Sequence, residues 1–144
     1  MSKTLININN YASYKLPTLY QQQIHLTKYS RWNDDLSRRE TWQETVYRYL
    51  DFMVNHIHTN FSYTLTEGEQ LDIYEGILYL HVMPSMRAMM TAGRALELDH
   101  CSAYNCGYTP IDYLISHDEA FYLSMCSVGV GYSVERQFIN DLPE

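Results

Sequence analysis

The segment Asp99–Pro110, DHCSAYNCGYTP, holds two of the chain's three cysteines and is followed, from Ser127, by SVGVGYSVE. How it folds decides the class, because it separates a long stretch of helix-type periodicity from a glycine-bearing stretch. CSAYNCGY carries no 3.6-residue period and reads as an extended strand. In strand register Ser102, Tyr104, Cys106 and Tyr108 share one face, while Cys101, Ala103, Asn105 and Gly107 share the other. Cys101 and Cys106 then point to opposite faces, which argues against a local disulfide. On spacing alone a buried cysteine is a small packing residue, and Cys126, inside a helical stripe, has the same reading.

Working outward, the helices announce themselves by their starts. Thr41 is followed three residues later by Glu44, the spacing of a capping box. Behind it Trp42, Val46, Tyr49, Leu50, Met53 and Ile57 form one apolar stripe on a helix over about 40–58. Thr66 and Glu69 repeat the box and open a helix with Leu71, Tyr74, Ile77, Leu78 and His81 on one face, closing before Pro84. A third pair, Ser116 and Glu119, opens a helix through EAFYLSMCSVG. A shorter helix spans Met86–Thr91, ahead of Gly93, and GYSVERQF offers a second strand. Residues 1–27 form a polar, loosely structured arm with a short helix near Leu19–Leu26. Residues 28–95 form a helical region, and 96–144 a strand–helix–strand. The class is therefore α/β, and the balance of helices and late parallel strands reads as an incomplete domain.

Composition excludes several functions. A net charge of −7 without a dense basic stripe makes nucleic acid a poor partner. The basic pair Arg38-Arg39 sits among acids and reads as a solvated helix start. No run approaches the roughly 20 apolar residues that cross a bilayer, and the opening MSKTLININN has no apolar signal core. Three cysteines make no disulfide framework, so a reducing cytoplasm is expected. His100, Cys101, Cys106 and His117 lack the paired spacing of zinc knuckles, and no metal site is expected. Gly129 and Gly131 have two readings: a helix C-cap, or a place where backbone approaches a ligand closely. Thr91-Ala92-Gly93 is a turn or a hydroxyl-plus-amide anion contact.

Taken together, RRETWQETVYRY, MPSMRAMMTAGRALE, AYNCGYTPID and SVGVGYSVERQF, in that order, resemble the N-terminal part of the catalytic subunit of ribonucleotide reductase. The likeness is greatest to adenosylcobalamin-dependent class II and related phage enzymes, and runs from about Lys28 to the last residue. It implies a helical region leading into the first strand–helix–strand of a ten-stranded α/β barrel. It implies that Cys106 is one thiol of the redox pair that reduces the ribose 2′ position after a thiyl radical has activated C3′. Thr91 takes the place of a substrate-contacting threonine, and Asn105 that of the residue whose backbone helps hold the ribose. Gly129 and Gly131 match the glycine-rich turn lining the nucleotide pocket. Arg94 departs from the family pattern, which has proline there. By the same resemblance the thiyl cysteine, its Asn and Glu neighbours and the second redox thiol are expected beyond residue 144, and the chain alone is expected to be inactive.

The implied partners are a ribonucleoside di- or triphosphate, a thioredoxin-type reductant, adenosylcobalamin, and a complementary C-terminal chain if the protein is split. The alternatives left open are a fragment of a class I enzyme and a non-catalytic helical scaffold module.

Overall fold

The helical part of the fold is set by its caps. In the computed structural model, which describes residues 4–142, α2 (Trp42–Phe61) begins at Thr41. The Glu44 amide donates to Thr41 Oγ1 at 3.3 Å, and the Thr41 amide donates to Glu44 Oε2 at 2.7 Å. This box satisfies amides that a helix start otherwise leaves free. Arg38 grips the same carboxylate through Nη1 and Nη2, both at 2.8 Å. That bond, with the Thr41 amide, holds the Glu44 carboxyl down at about 2. α2 stops where Ser62 takes a left-handed backbone (φ 53°) and returns its N–H to the His58 carbonyl. α3 (Glu67–Leu78) has the same box from Thr66 and Glu69, as its sequence predicts.

The core gathers Trp42, Val46, Leu50 and Val54 of α2 with Tyr74, Ile77 and Leu78 of α3. Met89 of α4 (Met86–Thr91) and Leu16 complete it. Burial of each such side chain stabilises by about 1.5–3 kcal/mol. Trp42 also donates its indole N–H to the Leu78 carbonyl at 3.0 Å, so its polar edge is satisfied inside. Two stripes differ from expectation. Tyr49, Met53 and Ile57 are only half-buried, and Val54 takes the central place. In α3 Leu71 is exposed and His81 lies outside the helix, while Gln70 is buried. The Gln70 amide is worth burying because it accepts the Leu5 N–H at 3.0 Å and donates to the Leu65 carbonyl at 3.1 Å.

The N-terminal stretch is not loose. Gln43 donates to the carbonyls of Tyr11 and Tyr14 at 2.8 and 2.7 Å, and Tyr11 donates to Glu75 at 2.7 Å. That last bond pushes the Tyr11 hydroxyl up to about 12. α1 (Leu19–Ile24) opens on a capping box of Thr18 and Gln21 and runs into a π-helical turn, His25–Tyr29. Two-residue strands β1 (Trp32–Asn33) and β2 (Arg38–Arg39) pair antiparallel, so Arg38-Arg39 is strand rather than helix start.

The chain divides into two units after Gly93. The second holds α5 (Arg94–Leu98), a 3₁₀ turn at His100–Ala103, β3 (Cys106–Pro110), α6 (Ile115–Met125), β4 (Gly129–Ser133) and α7 (Arg136–Ile139). β3 and β4 pair in parallel across the helical crossover, an α/β arrangement. The strand is shorter than expected. The Asp99 carboxylate accepts the Cys101 N–H at 2.8 Å and winds residues 100–103 into a turn, so strand alternation begins only at Cys106. The capping box at Ser116 is also absent: Ser116 lies within α6, buried, with its hydroxyl donating to Asp112 at 3.1 Å. α6 ends at Met125, and the reversal into β4 is made by Ser127 in a left-handed conformation (φ 65°), not by a glycine. Among the described residues no helix is long and apolar enough to cross a membrane.

Candidate functional site

The β3–β4 pair sets Cys106 opposite Gly129 and Tyr108 opposite Gly131. Side chains alternate along each strand, so the Cys106 thiol shares its face with both glycines, and Val130 and Tyr132 point the other way. That other face meets α6: Val130 and Tyr132 line a cavity of about 260 Å³ with Ala120, Phe121 and Ser124. The Cys106 face is open, with Cys106, Gly129 and Gly131 all exposed.

The glycine at 129 relieves a tight approach to backbone. A Cβ there would stand 3.3 Å from the Asn105 carbonyl oxygen and 3.9 Å from Cys106 Sγ. The Gly129 N–H donates to that same carbonyl at 2.8 Å, which pins the lead-in to β3 beside the thiol. Because both glycines lie on a strand, the helix C-cap reading of them is withdrawn. Three of the five expected site residues, Cys106, Gly129 and Gly131, thus fall within one strand pair, and Asn105 immediately precedes it.

Thr91 belongs to the first unit. It is the last residue of α4, buried, and its hydroxyl donates to the Arg87 carbonyl at 2.6 Å. The carbonyls around it are held by two arginines. Arg48 Nη1 donates to Met89 and Ala92, both at 3.0 Å, and Arg31 Nη2 donates to Met90 at 2.6 Å. Glu40 fixes Arg48 in turn, Oε1 accepting from Nε at 2.9 Å. Gly93 then takes a φ of 100°, a conformation that favours glycine. Arg31 and Arg48 escape a sequence reading because nothing local marks them: their partners lie about forty to sixty residues further along the chain.

Cys101 and Cys126, expected only to pack, both engage Asp99. Cys126 Sγ lies 3.6 Å from Asp99 Oδ2, and Tyr122, one turn earlier on α6, donates to the same oxygen at 2.8 Å. The Cys101 amide donates to Asp99 Oδ1 at 2.8 Å, and the carboxylate pushes the Cys101 thiol up. The Cys101 amide and the Tyr122 hydroxyl in turn hold the Asp99 carboxyl at about 2, and Tyr122 is raised to about 12. In the first unit, a cavity of about 340 Å³ is lined by Leu16, Tyr20, Ile24, His25 and Trp42 and contains none of the expected site residues. His25 bonds Thr45 Oγ1 at 2.9 Å, and its burial lowers its pKa.

The cavity beside β3 and α6, about 550 Å³ and lined by Tyr108, Thr109, Ile115, Asp118 and Tyr122, is too small to hold adenosylcobalamin whole. Among the described residues no three His, Cys, Asp or Glu side chains gather as metal ligands.

The arrangement defines a class first: an α/β protein with a parallel strand–helix–strand whose open face carries a thiol flanked by glycines. No protein-family model and no curated protein matches the chain. Among solved structures, a B12-dependent (class II) ribonucleotide reductase has the same fold over the whole chain, with a TM-score of 0.80 and 23% identity. The match covers 100% of this chain and 24% of that one, so the chain spans about a quarter of the reductase's length. The likeness in fold is thus to a member of the family that the sequence resembles.

Proposed function

We infer that the chain is the N-terminal part of a ribonucleotide reductase catalytic subunit, and that Cys106 is one of its two reducing thiols. The observation that carries this reading is the Cys106–Gly129 juxtaposition on the helix-free face of a parallel strand pair. In a closed α/β barrel that face is the interior, where a substrate is shielded from water. The likeness in fold to a class II reductase supports the same assignment.

The chemistry asked of these residues is limited. The Cys106 thiol donates its proton to the departing 2′ hydroxyl, which leaves as water. With a second thiol, the sum is one ribonucleotide and two thiols giving one deoxyribonucleotide, one water and one disulfide. Gly129 and Gly131 leave room for the ribose beside the sulfur. The Asn105 carbonyl is engaged by Gly129, so Asn105 meets substrate through its own N–H or side chain. Thr91, at the end of α4, takes the place of a substrate-contacting threonine in the family that the sequence resembles. The thiyl cysteine, the second thiol and any cobalamin site belong to protein outside these residues, and a thioredoxin-type reductant restores the pair.

The test is Cys106→Ser in the enzyme assembled from this chain and its complementary part. Thioredoxin-supported deoxyribonucleotide formation should be lost while assembly on size exclusion is unchanged. Turnover equal to the parent would sink the assignment and favour a scaffold role.

A further inference from the structure

The first unit holds a cavity that the reductase reading leaves without a role. It measures about 340 Å³, near the lower bound for small-ligand pockets, and none of the expected site residues lines it. Its lining includes a pair of buried rings. His25 meets Trp42 edge to face, with centroids 5.5 Å apart and planes at 82°. Trp42 commits its indole N–H to the Leu78 carbonyl at 3.0 Å, and His25 commits Nε2 to Thr45 Oγ1 at 2.9 Å. Both rings therefore offer contact area more than hydrogen bonds. Leu16, Ile24 and Leu80 add apolar wall, and the exposed side chains of Tyr20 and Met83 connect the lining to solvent.

Two features define the chemistry of an occupant. No Asp, Glu, Lys or Arg stands among the lining residues, and burial lowers the pKa of His25, so the lining is uncharged at neutral pH. An ionised ligand would lose hydration here without meeting a counter-charge. The second feature is Tyr29, which also lines the cavity. Its ring packs against the core, its hydroxyl has no hydrogen-bond partner among the described residues, and burial raises its pKa. A tyrosine hydroxyl withdrawn from water ordinarily finds a partner.

We propose that this cavity binds a small uncharged aromatic molecule whose rings lie against His25 and Trp42 and whose polar edge hydrogen-bonds the Tyr29 hydroxyl. At about 30 Å³ for each non-hydrogen atom, the share a water takes in the liquid, the volume holds roughly eleven such atoms. That is the size of two fused rings with one substituent. The inference uses residues of the first unit only and stands apart from the reductase assignment.

Naphthol, titrated into the isotope-labelled chain and followed by NMR, is the probe. The Trp42 indole N–H signal should shift and saturate, while that of the exposed Trp32 stays still; Trp32→Phe assigns the two. Decahydronaphthol, the saturated counterpart, should bind about three- to tenfold more weakly. Naphthyl phosphate should not saturate the signal over the same range. Tyr29→Phe, which keeps every carbon and should leave the helix circular dichroism unchanged, should weaken naphthol binding about fivefold. The proposal is overturned if the Trp42 signal does not saturate or if Trp32 moves in parallel. It is equally overturned if the phosphate, the saturated alcohol or the Tyr29→Phe chain matches the affinity of naphthol for the parent. Expulsion of naphthol by the complementary part of the enzyme would make the cavity a socket for that part, and would overturn the proposal too.

Discussion

Gly129 faces Cys106 across the parallel strand pair, where a single added carbon would come into van der Waals contact with the sulfur at 3.9 Å. A larger side chain at 129 would cover the thiol on its open face. Gly129→Leu should therefore slow iodoacetamide alkylation of Cys106 several-fold relative to the parent chain, with Cys101 as internal reference. Equal rates would show that the thiol is approached from elsewhere.

Arg48 is half of an ion pair with little solvent contact and also donates to three backbone carbonyls, those of Tyr29, Met89 and Ala92. Arg48→Ala leaves Glu40 without its partner and three acceptors unmet. The expected loss of stability is about 3–5 kcal/mol, the range for breaking one side of a buried pair. Urea unfolding followed by helix circular dichroism measures it. Arg48→Lys keeps the charge but not the fork and should fall between.

His25 gives a pH dependence with a definite sign. Burial lowers its pKa below the usual 6.5, so above that value both folded and unfolded chains hold it neutral. As pH falls below 6.5, the unfolded chain takes up a proton that the folded chain refuses, and stability declines until the folded pKa is passed. Unfolding midpoints compared between about pH 8 and about pH 5 should fall, and His25→Gln should flatten the slope.

Glu44 gives the opposite sense at lower pH. Its folded pKa of about 2 lies below the usual 4.5, so the stability it lends is present above 4.5 and is lost as pH drops toward 2. Glu44→Gln should remove that part of the acid sensitivity. Thr41→Ala, which takes away the other half of the cap, should cost about 1 kcal/mol at neutral pH.

Much of this structure was legible in the sequence where the signal is local. Thr41–Glu44 and Thr66–Glu69 mark helix starts because a cap needs only residues three apart. The α4 segment and the strand bearing Cys106 were legible for similar reasons. What escaped depends on partners distant in sequence or on competition between local options. Gln43 and Gln70 stand outside the apolar stripes read from the sequence, yet their amides anchor the N-terminal stretch to the core. Asp99 won residues 100–103 for a turn over the strand that their alternation suggested. Ser116 looked like a cap and instead bonds Asp112. At the candidate site, the residue types and order were legible, but the closeness of Gly129 to Cys106 and the gathering of Cys101 and Cys126 at Asp99 emerge only from the fold.

The register of β3 against β4 has a further consequence. A slip of one residue would replace Gly129 opposite Cys106 by Val128 or Val130, setting a branched chain against the sulfur and turning the glycines toward α6. The bond from Gly129 N–H to the Asn105 carbonyl resists that slip at its first step. The accessibility of the thiol is thus an all-or-none property of strand alignment: the pair either mates in this frame, with the sulfur bare, or mates in another and hides it.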